Sequence, residues 1–413
     1  MSAAEKHLDS NAERPSIVLL IALGMLSTLV AVVFARLAYG LVLPSMREDL
    51  GLTYAQAANL GTVTAIGYLS VLLYAGVFAG RHGGKKAILL GMLFACAGFT
   101  GLSVSSQYGW LMLCMVLLGF GTAFTFTPLI SLLGSWYPDR RGTVIGFANS
   151  GVGIGMLISG ALVPALTEAD PADGWRQVWM IFAISAAVTG LLVALFLRSP
   201  PLTHAGSSLK QGLLSVYRSP HVLIMGLIYG IVGLTYIVQT LFMYSFALAS
   251  DVPAITAGKL VALMGFISVF AGPTWGVAAD RIGHANALVI CMLMAMLGNL
   301  LPVIWPTTPV FALHYVLIGL SISGLFTSIL AASTSTVQPQ LAAMAVSFVT
   351  VFFALGQLIG PAVAGVLIEW QQDFRLSFGL CGLLLLLGIG LSHRSRRYLI
   401  VTNDYKHKTA SLQ

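Results

Sequence analysis

Gly76-Val-Phe-Ala-Gly-Arg-His-Gly-Gly-Lys-Lys86 returns two hundred residues later as Gly276-Val-Ala-Ala-Asp-Arg-Ile-Gly-His-Ala-Asn286. Both copies read G-V-x-A-x-R-x-G, and both form a short polar break between long apolar runs. Glycine-rich stretches also recur, Gly151, Gly153, Gly155 and Gly160 in the fifth helix and Gly356, Gly360, Pro361 and Gly365 in the eleventh. A chain with such a repeat consists of two related halves. Carriers built on internal repeats place their substrate near the bilayer midplane, between the halves.

The runs around the repeated turn decide the class. Of 413 residues, 57% are hydrophobic and 8% charged, against roughly 25% charged in a soluble domain. A charge at the centre of hydrocarbon costs at least a few kcal/mol, so this composition fits lipid and excludes an ordinary soluble fold. Runs long enough to cross the ~30 Å core predict helices at 16–43, 52–80, 86–105, 109–136, 141–167, 175–198, 221–249, 254–280, 285–304, 309–335, 341–369 and 376–393. The first run is too long for the core of a cleaved signal peptide. The expected organisation is a tail (1–15), a six-helix bundle (16–198), a central loop (199–220), a second six-helix bundle (221–393) and a tail (394–413).

Orientation follows from lysine and arginine, which gather on the cytoplasmic side. With the N-terminus inside, every one of the 21 basic residues except Arg36, Arg47, Arg176, Lys259 and Arg375 falls on that side. The net charge of +7 is therefore a topological signal and argues against nucleic acid as a partner. Both termini are expected in the cytoplasm, with the chain in a bacterial inner membrane. The partners expected are the lipid bilayer and a small molecule, and the chain is expected to act as a monomer.

The repeated turn resembles the loop signature of the major facilitator superfamily, G-x-x-x-D-R-x-G-x-K/R-K/R, and the resemblance extends over essentially the whole chain. It implies an all-α membrane protein of twelve transmembrane helices in two pseudo-symmetric bundles. The C-terminal copy keeps the acid as Asp280, with Arg281 and Gly283. The N-terminal copy has Gly80 there but keeps Arg81, Gly83, Lys85 and Lys86. The resemblance implies a cytoplasmic latch at Asp280, partnered by Arg281 and by the start of the fifth helix near Arg141. The alternative is a plain charge at a helix end. Trp136 to Gly155 is similar to the loop and fifth helix of monocarboxylate porters and oxalate–formate exchangers. Arg36 to Arg47 resembles a bacterial subgroup of largely uncharacterised facilitators.

Arg36 is the costly exception in the first helix. It either faces a cavity or snorkels to the outer headgroups. At helical spacing Thr28, Arg36, Tyr39 and Gly40 share a stripe. A guanidinium matches a carboxylate with paired donors, which points to an organic anion. Tyr236 occupies the matching position of the seventh helix, with Gln239 beside it, and both supply groups that orient a carboxylate. Lys259, near the outer end of the eighth helix, is either a second cationic contact or a snorkelling side chain. Asn149, His314 and Gln357 are polar positions open to substrate contact or to helix–helix hydrogen bonding.

None of the 14 acidic residues lies in the middle of a span. Many proton-coupled drug exporters of the resembled superfamily use a buried carboxylate and an arginine four residues before a glycine of the fourth helix. Met115 stands at that position, before Gly119. No phosphate loop, metal spacing or nucleophile–base pair is present, so the chain reads as neither an enzyme nor a holder of a cofactor. Cys96, Cys114, Cys291 and Cys381 lie singly in apolar runs and read as packing residues. The expected function is a secondary carrier for a mono- or dicarboxylate, working by uniport, by exchange with a counter-anion or by symport with a proton. His314 or the substrate would carry such a proton. An exporter of drugs or amphipathic metabolites is the alternative, and a non-transporting receptor a remoter one.

Overall fold

The computed structural model describes residues 15–137, 141–198, 218–335 and 342–410, and within them the structure is helical with no strand. The side chains of Arg141 and Asp280, and those beyond Arg394, fall outside that description, as do the N-terminal tail to residue 14 and the central loop from 199 to 217.

The first span is built in three pieces. Helix α1a (Ile17–Thr28) passes into a π-helical segment (Leu29–Leu37), and α1b (Tyr39–Leu50) completes it. The others are α2 (Tyr54–His82), α3 (Gly84–Val104), α4 (Tyr108–Trp136), α5 (Arg141–Ala169), α6 (Gly174–Phe196), α7 (Pro220–Ala249), α8 (Ala254–Ile282), α9 (His284–Ile304), α10 (Thr308–Ser335), α11 (Ala342–Gln371) and α12 (Arg375–Ala410). Eleven stretches are long and apolar enough to cross a bilayer, and α2 makes a twelfth when its two bent segments count as one. The twelve expected spans are all present.

Two boundaries differ most: α12 runs on to Ala410, past the expected end at 393, and α1 runs past 43. The apolar run stops near Leu43, yet α1b continues through Pro44, Arg47 and Glu48 to Leu50. A Schellman turn stops it: Gly51 takes φ 61°, its N–H donates to Glu48 O (3.3 Å), and Leu52 N–H donates to Arg47 O (3.0 Å). The same turn ends α7, with Asp251 at φ 60° and Val252 N–H on Ala247 O (3.1 Å). The repeated polar turn is equally well matched. Gly83 (φ 92°, ψ 145°) and Gly283 (φ 84°, ψ 141°) precede α3 and α9, in a region that residues with a Cβ rarely enter. Each donates its N–H over 2.9 Å, Gly83 to Ala79 O and Gly283 to Ala279 O. The sequence repeat is thus a repeat of backbone geometry.

Lipid supplies no hydrophobic drive between helices, so association rests on close packing at small residues. By packing, the chain divides into two units, Met1–Arg36 with Ile66–Gly155 and Arg176–His204, and Leu37–Ala65 with Met156–Trp175 and Ala205–Gln413. In the first, α3 lies along α4, where a Cβ on Gly98 would run into the Cys114 carbonyl and Leu118. In the second, α7 packs on α11, α8 on α10, and α9 on α10 and α12. This unit also joins parts of the first six spans to the last six. At Gly40, α1b meets the α7 backbone at Thr240 and Leu241. At Gly365, α11 meets α2 at Ala58. Gly160 of α5 and Gly258 of α8 leave no room for a Cβ on either backbone.

Candidate functional site

Arg36 lies in the π-helical segment and is half-buried. A π-helical stretch bonds i to i+5, widens the turn and is frequent at functional sites. It needs outside support here, and α4 gives it: the Thr122 hydroxyl donates to Ala31 O at 2.7 Å, as well as to Leu118 O at 3.1 Å. Phe34 stacks on Phe182 of α6 at 3.9 Å between ring centroids. Thr28, Tyr39 and Gly40 are buried, while Arg36 is partly open.

The Arg36 guanidinium sits over the Tyr68 ring of α2, 5.0 Å from its centroid. Tyr68 in turn shares a side-chain hydrogen bond with Thr127 of α4. Three spans of the first unit therefore converge on one cation. The ring face compensates part of the desolvation of a charge held inside an apolar bundle. Neither Tyr68 nor Thr127 stands out in the sequence, because an aromatic or a hydroxyl inside an apolar run usually packs or bonds its own helix.

In the second unit the polar groups gather on α7 and α10. His314 is fully buried, and its Nδ1 lies 2.7 Å from Gly298 O. A carbonyl only accepts, so Nδ1 carries the proton and Nε2 is the acceptor. The Gln239 amide nitrogen donates to that Nε2 over a long 3.5 Å. This fixes the amide orientation and leaves Gln239 Oε1 buried without a hydrogen-bond partner. Tyr315, the next residue of α10, has a buried hydroxyl in the same condition. Both residues line one small pocket with Thr240, Tyr244, Leu41 and Met264 among its walls. The opening is about the size of one water molecule.

The remaining expected residues are placed as follows. The Tyr39 hydroxyl donates to Ala57 O at 2.8 Å and ties α1b to α2. Tyr236 is half-buried and stands edge-on to Phe326 at 5.7 Å, beside Tyr229, which stacks on Phe353 at 4.5 Å. Gln357 is buried in α11, whereas Lys259 and Asn149 are exposed. Arg81 and Arg281 are exposed at the ends of α2 and α8. The expected latch between Asp280 and Arg141 involves side chains outside the described residues. Among the described residues, no group of three or more His, Cys, Asp or Glu could hold a metal.

The comparisons agree with this architecture. A family model described as "Uncharacterised MFS-type transporter YbfB" matches residues 28–393. Human monocarboxylate transporter 11 is 26% identical over 365 residues, covering 84% of this chain and 76% of that protein. Mouse monocarboxylate transporter 4 is 26% identical over 372 residues, covering 83% and 77%. Among solved structures, a bacterial homologue of the human lysosomal transporter Spinster superposes with a TM-score of 0.74 at 16% identity, covering 93% of this chain and 97% of that one. The nucleoside transporter NupG also gives 0.74, at 14% identity, covering 91% and 98%. With twelve spans, the repeated glycine turn and a family match over most of its length, the chain belongs to the major facilitator superfamily and is a membrane transporter, not an enzyme.

Proposed function

We propose that this transporter carries a small organic anion, a mono- or dicarboxylate, by alternating access, with Arg36 as the group that binds the carboxylate. The observation that carries the reading is the Arg36 guanidinium, partly open in a π-helical segment and lying over the Tyr68 ring 5.0 Å away. All 14 acidic residues lie at or beyond span ends. The names of the monocarboxylate transporters at 26% identity support the same class.

In the second unit, α7 and α10 carry further candidate contacts. Gln239 Oε1 accepts a hydrogen bond, the Tyr315 hydroxyl donates or accepts one, and Tyr236 offers a phenol next to Phe326. Each of these groups suits a hydroxyl, keto or protonated group of a small organic acid. A coupling proton travels with the substrate or on His314, and a counter-anion is the other coupling route. The setting is the bacterial inner membrane with both termini cytoplasmic, and the working unit is the monomer.

Ligand affinity for the folded state raises its thermal midpoint. A screen of the purified protein against carboxylates, amino acids and cationic drugs should give shifts selective for carboxylates. Those shifts should vanish in Arg36→Gln. Selective shifts from cationic drugs, undiminished in the variant, would instead favour an exporter of amphipathic compounds.

A further inference from the structure

Two carboxylates at matching places in the repeat reach across to helix N-termini. Glu369, near the end of α11, accepts the Tyr54 N–H of α2 on Oε2 at 2.8 Å. Glu168, near the end of α5, accepts the Ile255 N–H of α8 on Oε1 at 2.9 Å. The two acids are about two hundred residues apart in the chain, as are the two amides. Each bond joins one span of the first six to one of the last six, and all four residues belong to the second unit.

The first turn of a helix has amides without partners within the helix and a partial positive charge, so an anion there is held by both hydrogen bond and dipole. In α2, Thr53 and Gln56 already form a reciprocal capping box, Thr53 N–H to Gln56 Oε1 at 3.0 Å and Gln56 N–H to Thr53 Oγ1 at 3.1 Å. Glu369 adds a cap from another helix to one that has its own. Below each bond lies a glycine crossing, Gly365 against Ala58 and Tyr54, and Gly160 against Gly258 and Ala262. Each of the two seams thus has a close backbone crossing at a glycine and a carboxylate at its end.

We propose that Glu168 and Glu369 are a symmetric pair of latches, which close this end of the α5–α8 and α2–α11 seams and must let go when the carrier opens there. The device rests on the alternating-access reading for its purpose, but not for its detection. Glu369 is partly buried and Glu168 is exposed, so the Glu369 latch holds more tightly. Arg47, over the Tyr54 ring at 4.2 Å, braces the same corner from α1b.

Hydrogen–deuterium exchange of the purified full-length protein, with no substrate added, tests the pair. Glu369→Ala should speed exchange about tenfold or more in the first turns of α2 and, more weakly, of α8, whose own cap is intact. Glu168→Ala should do the converse with smaller amplitude. The Glu→Gln variants retain an acceptor oxygen without charge and should fall between, which covers the case that an alanine variant folds poorly. Acceleration confined to the helix that lost its cap would reduce each glutamate to a local cap and overturn the latch. So would unchanged exchange at both. Neither result touches carboxylate binding at Arg36, which the thermal-shift screen reads separately.

Discussion

Arg36 and Tyr68 form the one described contact in which a guanidinium within the apolar length of a span faces an aromatic ring, at 5.0 Å. Both residues sit on spans of the first unit, and Thr127 holds the ring from a third. A cation–π contact contributes about 0.5–2 kcal/mol. Tyr68→Phe keeps the ring face and should leave transport within about twofold of wild type. Tyr68→Leu removes it and should raise the KM for a carboxylate several-fold with the expression level kept. Equal loss in both variants would show that the hydroxyl, not the ring, matters.

The two Schellman turns offer a stability comparison. Gly51 and Asp251 share the same left-handed φ, which costs a residue with a Cβ about 1–2 kcal/mol, less for Asp than for most. Asp251→Gly should therefore stabilise the purified protein by roughly 1 kcal/mol. Thermal unfolding in detergent measures this, and a lowered midpoint would mean the Asp251 side chain supports the turn in another way.

The glycines of the repeated turn should be sensitive in the opposite sense. Gly83→Ala and Gly283→Ala each force a Cβ into backbone space that is almost confined to glycine, at a cost of about 1–3 kcal/mol. The two losses should be similar, because the φ and ψ values are similar. Substitution of Gly80, which has open space around its Cβ position, should be tolerated. Equal loss at Gly80 and Gly83 would contradict the backbone explanation.

Gln239 separates stability from function. Its Oε1 is buried and unpartnered, so Gln239→Leu removes a costly orphan acceptor along with a long contact to His314. The stability change should stay within about 1 kcal/mol. Carboxylate uptake should nevertheless fall about tenfold, the worth of one hydrogen bond to a substrate group. Full uptake by a stable Gln239→Leu protein would remove α7 from the substrate site.

The fold was legible because lipid imposes a strict rule: each span must be apolar for its full crossing, and polar residues mark its ends. The twelve spans and the repeated turn at Gly83 and Gly283 follow from that rule. The extension of α1 to Leu50 did not, since Arg47, Glu48 and Asp49 look like a loop until the Gly51 turn is seen. The π-helical segment at Leu29–Leu37 also left no trace, because a run apolar on every face carries no period to disturb. In the site, Arg36 was visible by its cost alone. Tyr68 and Thr127 were not, as their types are common in packed helices. Glu168 and Glu369 look like ordinary charges at span ends, and only the bonds to Ile255 and Tyr54 give them a further role.

Uptake of short radiolabelled carboxylates such as lactate and succinate into proteoliposomes, by wild type, Arg36→Lys and Arg36→Gln, tests the central claim most directly. Loss of a charge-assisted pair is worth about 1.5–3 kcal/mol, or roughly 10–150-fold. The expected result is saturable carboxylate uptake by wild type, a partial loss in Arg36→Lys, which keeps the charge without the fork, and near-complete loss in folded Arg36→Gln. Carboxylate uptake by Arg36→Gln at the wild-type rate would contradict the account.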